Sequence, residues 1–170
     1  GKIATNRGGY THAVYHAGTN LIVNGGEFSG NGNEVINANS APATINGGKV
    51  LGMKSSGNGS AIGMMNLTSL TINGGEIVGN TVTKSINGTG YGGAIMAAGH
   101  LTITGGKITT NGHSGYIANV GRTYSSQDQT ITINGGEYGG ERIVSSEWVK
   151  QAGTKKISTD VNTAWSGGYG

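Results

Sequence analysis

Short segments in which apolar and polar residues alternate recur along this chain. The clearest is an eight-residue phrase, apolar-Thr-apolar-Asn-Gly-Gly-(Glu or Lys)-apolar, with small departures between copies. It occupies residues 21–28, 43–50, 70–77, 101–108 and 131–138. Alternation with a period of two is typical of a β-strand with one apolar face, so a strand is predicted before the two glycines. The Asn-Gly-Gly segment is predicted to bend the chain, because it readily takes positive φ, and the last apolar residue then points inward again.

A second strand is predicted upstream of each phrase. The candidate segments, which mostly follow a glycine-rich turn, are residues 13–17, 34–38, 61–65, 94–98 and 116–120. One repeat is therefore predicted to contain an upstream strand, a short turn, the phrase with its bend, a further strand and a variable loop. Surface loops vary without cost to a core, and they are where such a protein binds its partners.

The spacing of the phrase predicts a stack of parallel strands. A stack of β-hairpins would place a turn every ~8–12 residues, whereas the first glycine of each pair lies at position 25, 47, 74, 105 or 135. A single strand cannot bury its apolar face alone, but copies stacked roughly 4.8 Å apart can. The pattern predicts an all-β fold, a single-stranded parallel β-helix (β-solenoid) of about five to six coils. The glycines expected to form its structural repeat are Gly25, Gly26, Gly47, Gly48, Gly74, Gly75, Gly105, Gly106, Gly135 and Gly136.

The repeat pattern divides the chain at residue 140. Residues 1–140 are predicted to form the coils, with the first coil starting at about residue 8 and residues 1–12 forming a frayed start or an incomplete coil. Residues 141–170 are predicted to form a terminal coil or cap and a tail, because an open end exposes core and strand edges. Within this part, residues 145–150 are predicted to form a short helix with a serine N-cap.

A charged position follows each Gly-Gly pair, and its sign alternates along the chain. The residues of this charge ladder are Glu27, Lys49, Glu76, Lys107 and Glu137. If the copies stack in register, every neighbour in the ladder is an opposite charge, which favours that register.

Composition narrows the class of protein. The chain of 170 residues has 35 glycines, one proline and 34% hydrophobic residues, which suits a fold whose core is a thin column. Its net charge of +3 comes from scattered residues, which argues against binding of nucleic acid. It has no cysteine, hence no disulfide or thiolate site, and no apolar run long enough for membrane insertion. It begins at Gly1 without a methionine, so we interpret it as a mature or excised segment.

The sequence does not favour catalysis, a metal site or a cofactor. The only aspartates are Asp128 and Asp160, and three of the six glutamates belong to the charge ladder, so a pair of carboxylates for acid–base catalysis is not expected. His12 and His16 would lie about 13 Å apart on one strand, too far to share a metal ion. We therefore predict a protein that is not an enzyme and that has no catalytic residues, no metal site and no cofactor.

Two surfaces are candidates for binding. The threonine and the asparagine of successive phrases form an outward-facing grid, which is interpreted as ordinary side-chain ladders or as an ice-binding plane like the Thr-x-Thr arrays of antifreeze solenoids. The upstream strands and the C-terminal part carry large side chains suited to a glycan or a protein partner. The residues proposed for this ligand surface are Tyr15, Met96, Tyr116, Trp148 and Trp165.

Several motifs resemble those of known surface proteins. Gly92-Gly93-Ala94-Ile95 and Phe28-Ser29-Gly30-Asn31 resemble the GGA(I/L/V) and FxxN repeats of chlamydial polymorphic membrane proteins. The Leu-Thr-Ile-Asn-Gly-Gly phrase, with Glu137-Tyr138 and Trp148-Val149 near its last copy, resembles β-helix repeat regions of cell-surface proteins from gut Gram-positive bacteria. The resemblance covers residues 8–150, and it implies a right-handed β-helix on the outside of a bacterial cell.

These observations lead to three alternative functions. The first is a secreted structural and adhesive module of a bacterial cell-surface protein, an adhesin whose partner is a glycan or a host or bacterial surface protein. The second is a phage virion fibre or a capsid or tail decoration protein, in which the solenoid ends support self-association. The third is a glycan-binding accessory domain of a polysaccharide-active enzyme.

Overall fold

A computed structural model shows a chain built from short β-strands, with no helix among the residues that it describes. It describes residues 1–5, 11–30, 35–38, 41–51, 54–55, 61–64, 68–79, 81–82, 94–97, 99–109, 117–120, 129–138, 141–142, 146–151, 154–157 and 163–166. In chain order the strands are β1 Lys2–Thr5, β2 Val14–His16, β3 Leu21–Val23, β4 Glu27–Gly30, β5 Ile36–Ala38, β6 Ala43–Ile45, β7 Lys49–Leu51, β8 Lys54–Ser55, β9 Ile62–Met64, β10 Ser69–Ile72, β11 Glu76–Val78, β12 Thr81–Val82, β13 Ile95–Ala97, β14 His100–Ile103, β15 Lys107–Thr109, β16 Ile117–Val120, β17 Gln129–Ile133, β18 Glu137–Tyr138, β19 Glu141–Arg142, β20 Ser146–Gln151, β21 Thr154–Ile157 and β22 Thr163–Ser166.

Most of these strands belong to three sheets, and each repeat contributes one strand to each sheet. Sheet A has the order β1-β4-β7-β11-β15-β18-β19, and it contains the strands that follow the Gly-Gly pairs. Sheet B has the order β2-β5-β9-β13-β16-β22 and contains the upstream strands. Sheet C has the order β21-β20-β17-β14-β10-β6-β3 and contains the strands that precede the Gly-Gly pairs. A small fourth sheet pairs β8 with β12.

Equivalent residues of successive repeats lie side by side in the sheets. In sheet C, Ile72 of β10 is in register with Ile45 on one side and with Ile103 on the other, and all of these strands are parallel. The five upstream strands lie within the segments predicted for them, each slightly shorter than predicted. The prediction of an all-β chain with stacked parallel strands is therefore confirmed, and the arrangement is compatible with a β-solenoid.

The inward-facing apolar residues of the three sheets form a single core cluster. Its best-buried large side chains are isoleucines and leucines of successive repeats, including Ile36 and Ile62 of sheet B, Leu70 of sheet C and Ile108 of sheet A. Burying one such side chain stabilises a fold by about 1.5–3 kcal/mol, and a column of identical side chains fills the interior evenly. The regular alternation of the phrase is the cause, because it directs every second residue to the same interior.

The Gly-Gly pairs form the bends between sheet C and sheet A. The second glycine of each pair has φ between 93° and 108°, a region that side chains strongly disfavour. The residue after the pair then donates its amide to the second glycine of the previous repeat, as Glu76 N does to the carbonyl oxygen of Gly48 at 2.8 Å. The bends are thus hydrogen-bonded to one another along the stack.

At its two ends, the described chain agrees with one of the sequence expectations and contradicts another. At the N-terminal end, β1 is a regular strand that pairs in parallel with β4, so an incomplete first repeat is present. At the C-terminal end, the predicted helix at residues 145–150 is wrong, because Ser146–Gln151 forms β20, antiparallel to β17. The free edge of β17 offers a full set of backbone partners, and that pairing overrides the weak local helix signal.

The change to antiparallel pairing begins after residue 140. Strand β19 turns back on β18, and β21 turns back on β20. Strand β22 instead extends sheet B in parallel with β16. The division of the chain at residue 140 into coils and a separate cap stays a prediction.

Within the described residues, there is no helix of the length and apolar character that crossing a membrane requires.

Candidate functional site

The charged residues that follow the Gly-Gly pairs form one continuous column on sheet A. Glu27, Lys49, Glu76, Lys107 and Glu137 lie in register on neighbouring strands. Ion pairs join Lys49 Nζ to Glu76 Oε2 at 3.0 Å and Lys107 Nζ to Glu137 Oε1 at 3.4 Å. These side chains are about half exposed, so each of these two pairs contributes no more than about 0.2–1 kcal/mol. The column therefore favours one strand register more than it adds stability.

Sequence reasoning missed both ends of this column. Lys2 of β1 lies in register with Glu27, and its Nζ is 2.6 Å from Glu27 Oε1. Arg142 of β19 lies in register with Glu137. One signal was available, since Lys2-Ile3 has the same order of charged and apolar residue as Lys107-Ile108. The segment was overlooked because no Gly-Gly pair precedes it.

The Lys2 ammonium affects the titration of its neighbour. Its hydrogen bond to Glu27, followed by its charge, holds the pKa of Glu27 below the ordinary value of 4.5, with a smaller contribution from Lys49. Partial desolvation acts in the opposite direction. Glu27 is therefore ionised across the neutral and mildly acidic range.

A shallow open groove of about 710 Å³ runs beside the charged column. Its floor is the backbone of the Gly-Gly bends, and charged residues of the column, Glu27, Lys49, Glu76 and Lys107, line it as well. Side chains have no room on this floor: a Cβ on Gly48, which lines the groove, would lie 2.8 Å from the carbonyl oxygen of Gly26. The close approach of the bends thus produces the groove.

A second column, of amide side chains, runs along sheet C just before the bends. Asn73 Nδ2 donates to Asn46 Oδ1 at 2.9 Å, and Asn46 Nδ2 donates to Asn24 Oδ1 at 2.8 Å. Thr104 replaces asparagine in the next repeat, and its Oγ1 donates to Asn73 Oδ1 at 2.8 Å. The exposed asparagines of this column therefore bond mainly to one another. Of the two interpretations of the polar grid, this arrangement favours ordinary side-chain ladders.

The neighbouring column of the grid contains the threonines. Thr44, Thr71, Thr102 and Thr132 lie in register and are half-buried, but the first position of the column is the exposed Ile22. Within the five repeats these two columns of sheet C are uncharged, with the apolar Ile22 at the N-terminal side, whereas the next strand, β20, places Glu147 in register with Thr132.

The residues proposed for a ligand surface lie in different places. Tyr15 in β2 is 58% exposed and its ring centroid lies 5.6 Å from that of His12. Met96 in β13 shares the register column of Tyr15, three strands away. The residues between them in that column, Asn37 and Gly63, are buried, so the column is not one continuous exposed stripe.

Of the remaining three candidates, the two that the structure describes are not grouped with Tyr15. Trp148 lies in β20 of sheet C, in register with Ile131, and Trp165 lies in β22 of sheet B, in register with Asn119. Strand β22 is at the opposite edge of sheet B from β2. Tyr116 lies outside the described residues. A ligand-binding role for any of these residues stays a prediction.

The part of the chain that the structure describes contains no group of three or more His, Cys, Asp or Glu side chains that could hold a metal ion. His16 lies in β2 in register with Ala38, and its Nε2 is buried with no hydrogen-bond partner among the described residues. His100 Nδ1 lies 3.0 Å from Thr130 Oγ1 on the next strand of sheet C. His113 lies outside the described residues.

Comparison of the chain with protein-family models, with curated protein sequences and with solved structures gives no match.

Proposed function

We propose that the three sheets close around their shared core as a right-handed β-solenoid. Two observations support closure: the chain visits sheets B, C and A in the same order in every repeat, and side chains from all three sheets belong to one core cluster. The right hand follows from the general preference of crossover connections between parallel strands, and it agrees with the hand implied by the resemblance to surface β-helix repeats.

The solenoid is a non-enzymatic structural and adhesive module of a bacterial cell-surface protein, located outside the cell. The observation that supports this proposal most directly is how the outward-facing polar side chains are bonded. In the charged column and in the amide column they bond to their counterparts in the next repeat, and these contacts continue along the stack. Side chains arranged in this way stabilise an extended stack and do not converge on one reacting centre.

The distribution of carboxylates supports a role without catalysis. Glu27 and Glu76 are separated in register by Lys49, and Glu76 and Glu137 by Lys107. Acid–base catalysis on a glycan requires two carboxyl groups that face each other across a substrate, usually with one raised pKa. The described carboxylate with a shifted pKa, Glu27, is shifted downward by its lysine neighbour instead.

The structural part of the proposal is tested by the shape and resistance of the molecule. We expect small-angle X-ray scattering to show a monomeric, elongated particle, and we expect thermolysin to leave the stacked repeats intact. A compact particle that is digested throughout would contradict the solenoid. A stable trimer would favour the phage virion fibre instead.

The adhesive part is tested by binding. Wild-type protein and the Tyr15→Ala variant are applied to arrays of glycans and to cells, with cleavage of acidic polysaccharides measured in parallel. Binding without cleavage supports an adhesive module. Cleavage of a polysaccharide by the pure protein would overturn the non-enzymatic assignment. Absence of binding to every glycan and cell tested would overturn the adhesive part and would leave only the structural role.

A further inference from the structure

The groove beside the charged column lies over the interior of sheet A. Lys49, Glu76 and Lys107 line it, and they belong to β7, β11 and β15. Each of these strands has a paired strand on both sides. The groove is therefore a feature of the stacked repeats themselves, and it does not depend on how either end of the stack is built.

The floor of the groove is bare backbone. Glycines of four successive bends line it, so no side chain separates a ligand from the main chain there. In the part of the chain that the structure describes, the amides of Gly47 and Gly48 donate to no backbone carbonyl, whereas those of Asn46 and Lys49 on either side bond to the previous repeat. The bends thus leave backbone donors for water or for a ligand.

The charges beside the floor are accessible to a ligand. The side chains of Lys49 and Lys107 are 54% and 50% exposed, and that of Glu76 is 42% exposed. An ammonium group has three donors, and the ion pair of each lysine with the next glutamate occupies one of them. Each lysine can therefore bind a carboxylate of a ligand and keep its partner in the column, and Glu76 can accept a hydrogen bond from a hydroxyl group.

The spacing of these charges indicates which kind of polymer fits the groove. Neighbouring strands of a sheet lie roughly 4.8 Å apart, so Lys49 and Lys107 are roughly 9.6 Å apart along the stack, with Glu76 midway. One sugar of an extended β-linked glycan advances about as far as one strand spacing. A carboxylate on every second sugar would therefore face the two lysines in turn, and the neutral sugar between them would face Glu76.

Other acidic polymers match this pattern less well. A glycan with a carboxylate on every sugar places one of them opposite Glu76, where like charges repel. An extended polypeptide repeats its side chains on one face every ~6.6–6.8 Å, which does not fit lysines that are roughly 9.6 Å apart. Charge complementarity thus favours a polysaccharide in which acidic and neutral sugars alternate.

We propose that this groove binds an extended acidic polysaccharide along the stack, with a carboxylate on every second sugar facing Lys49 and Lys107 and the neutral sugar between them facing Glu76. The inference deepens the adhesive part of the proposed function and rests on it, because it names a site and a partner for that adhesion. The groove is a separate surface from Tyr15 in sheet B. The charged column then favours one strand register and also selects the charge pattern of the ligand.

The test compares three labelled octasaccharides, each titrated with the intact chain at low ionic strength and followed by fluorescence anisotropy. The probes are a hyaluronan fragment with a carboxylate on every second sugar, an oligomannuronate with one on every sugar, and a chito-oligosaccharide with none. We expect the hyaluronan fragment to bind about two- to five-fold more tightly than either of the others. Added salt is expected to reduce this difference, because the charges are exposed.

Variants of the groove separate recognition of the charge pattern from general attraction. Lys49→Gln is expected to weaken binding of the hyaluronan fragment about two- to five-fold. Glu76→Gln removes the charge that repels the oligomannuronate, so we expect the preference for the hyaluronan fragment over the oligomannuronate to disappear. Lys156→Gln in β21 of sheet C is the matched control, since it makes the same change of net charge as Lys49→Gln, and it is expected to bind like wild type.

Thermal unfolding of every variant shows whether it is folded. A Lys49→Gln variant that fails to fold is replaced by Lys107→Gln, which removes the other lysine of the groove, and Glu76→Gln is replaced by Glu76→Thr. Both replacements make the same change of charge at the groove.

Binding of the probes either supports the groove as a polysaccharide site or overturns it. Loss of the preference in Glu76→Gln, with weaker binding by Lys49→Gln and unchanged binding by Lys156→Gln, supports it. Equal or tighter binding of the oligomannuronate by wild type, or absence of binding of the hyaluronan fragment, overturns it. An oligoglutamate peptide that binds as tightly as the hyaluronan fragment would assign the groove to an acidic polypeptide and would also overturn it.

Failure of this inference and failure of the proposed function give different results. If the protein binds other glycans or cells, and the groove variants bind them like wild type, the adhesive module stands and the groove is not its site. If the protein binds no glycan and no cell, the adhesive part fails as well.

Discussion

The two glycines of each pair are needed for different physical reasons. Gly75 has φ of 93°, a region in which a side chain is strained. Gly74 has no positive φ, but a Cβ there would lie 2.7 Å from the carbonyl oxygen of Asn46 in the previous repeat. The second glycine thus permits the bend, and the first permits successive bends to approach.

Gly74 and Gly25 are both the first glycine of a pair, but their surroundings differ, so alanine is expected to change stability differently at the two positions. Gly74→Ala is expected to destabilise the protein by about 1–3 kcal/mol, because backbone must move to make room for the methyl group. Gly25→Ala is the matched control, because no atom lies within 4 Å of the added Cβ at the first bend. Denaturant unfolding of both variants checks the prediction, and equal stability of the two would contradict it.

The ion pair of Lys2 with Glu27 predicts a dependence of stability on pH. The pKa of Glu27 is lowered in the folded state, so its contribution is present above the ordinary value of 4.5 and is lost as the pH falls through the lowered value. We expect the free energy of unfolding to decrease on acidification through this range, and salt to weaken the effect. Glu27→Gln is the control, and an unchanged acid dependence in this variant would show that the pair does not contribute.

At the scale of the strands, the amide column connects one repeat to the next. Asn73 takes part in two of its hydrogen bonds, one to Asn46 and one from Thr104, whereas Asn24 at the end takes part in one. Each hydrogen bond contributes a net stability of about 0.5–1.5 kcal/mol in general, and less where water competes. Each hydrogen bond of the column is thus expected to contribute its own increment to the stability of the protein.

Alanine substitutions test the column at matched positions. We expect Asn73→Ala to destabilise the protein about twice as much as Asn24→Ala, because it removes two side-chain hydrogen bonds instead of one. Thermal unfolding measures both variants under the same conditions. An equal or smaller effect of Asn73→Ala would mean that hydrogen bonds to water replace those between the side chains with no loss of stability.

The strands also show where local sequence is a poor guide. Residues 146–151 carry a plausible N-cap and no proline, yet they form β20 against β17. Residues 2–5 carry no Gly-Gly signal, yet they form β1 against β4. In both cases an available strand edge supplied the backbone partners, and sequence propensity does not include that edge.

At the scale of the whole molecule, the described strands after residue 140 differ from the repeats in their pairing in two of the three sheets. Strands β19, β20 and β22 lie next to β18, β17 and β16, the last strands of the regular repeats in sheets A, C and B. In sheets A and C this pairing is antiparallel, which interrupts the parallel template.

Removal of residues 141–170 tests the importance of these strands. The shortened chain would leave β16, β17 and β18 as open edges, so we expect concentration-dependent association and a lower unfolding temperature than for the intact chain. Light scattering over a range of concentrations and thermal unfolding measure the two effects. A shortened chain that stays monomeric with an unchanged unfolding temperature would show that the regular repeats need no cap.

The sequence by itself determined the elements that every repeat contains. Alternation of apolar and polar residues specifies which side of a strand is buried, and the Gly-Gly pair specifies a bend, because both are properties of one short segment. The alternating charges also indicated the register of sheet A before any strand was placed.

Tertiary structure alone decided what happens at the ends and how the outward residues are grouped. Strand β20 forms because the edge of β17 is present beside it, and its own residues do not show this, whereas β1 carries only the weak signal of the Lys2-Ile3 pair. Tyr15 and Trp165 lie at opposite edges of sheet B, because their positions depend on the order in which distant strands pair. Local patterns repeat in the sequence and can be recognised there, whereas pairing between distant segments depends on the whole chain.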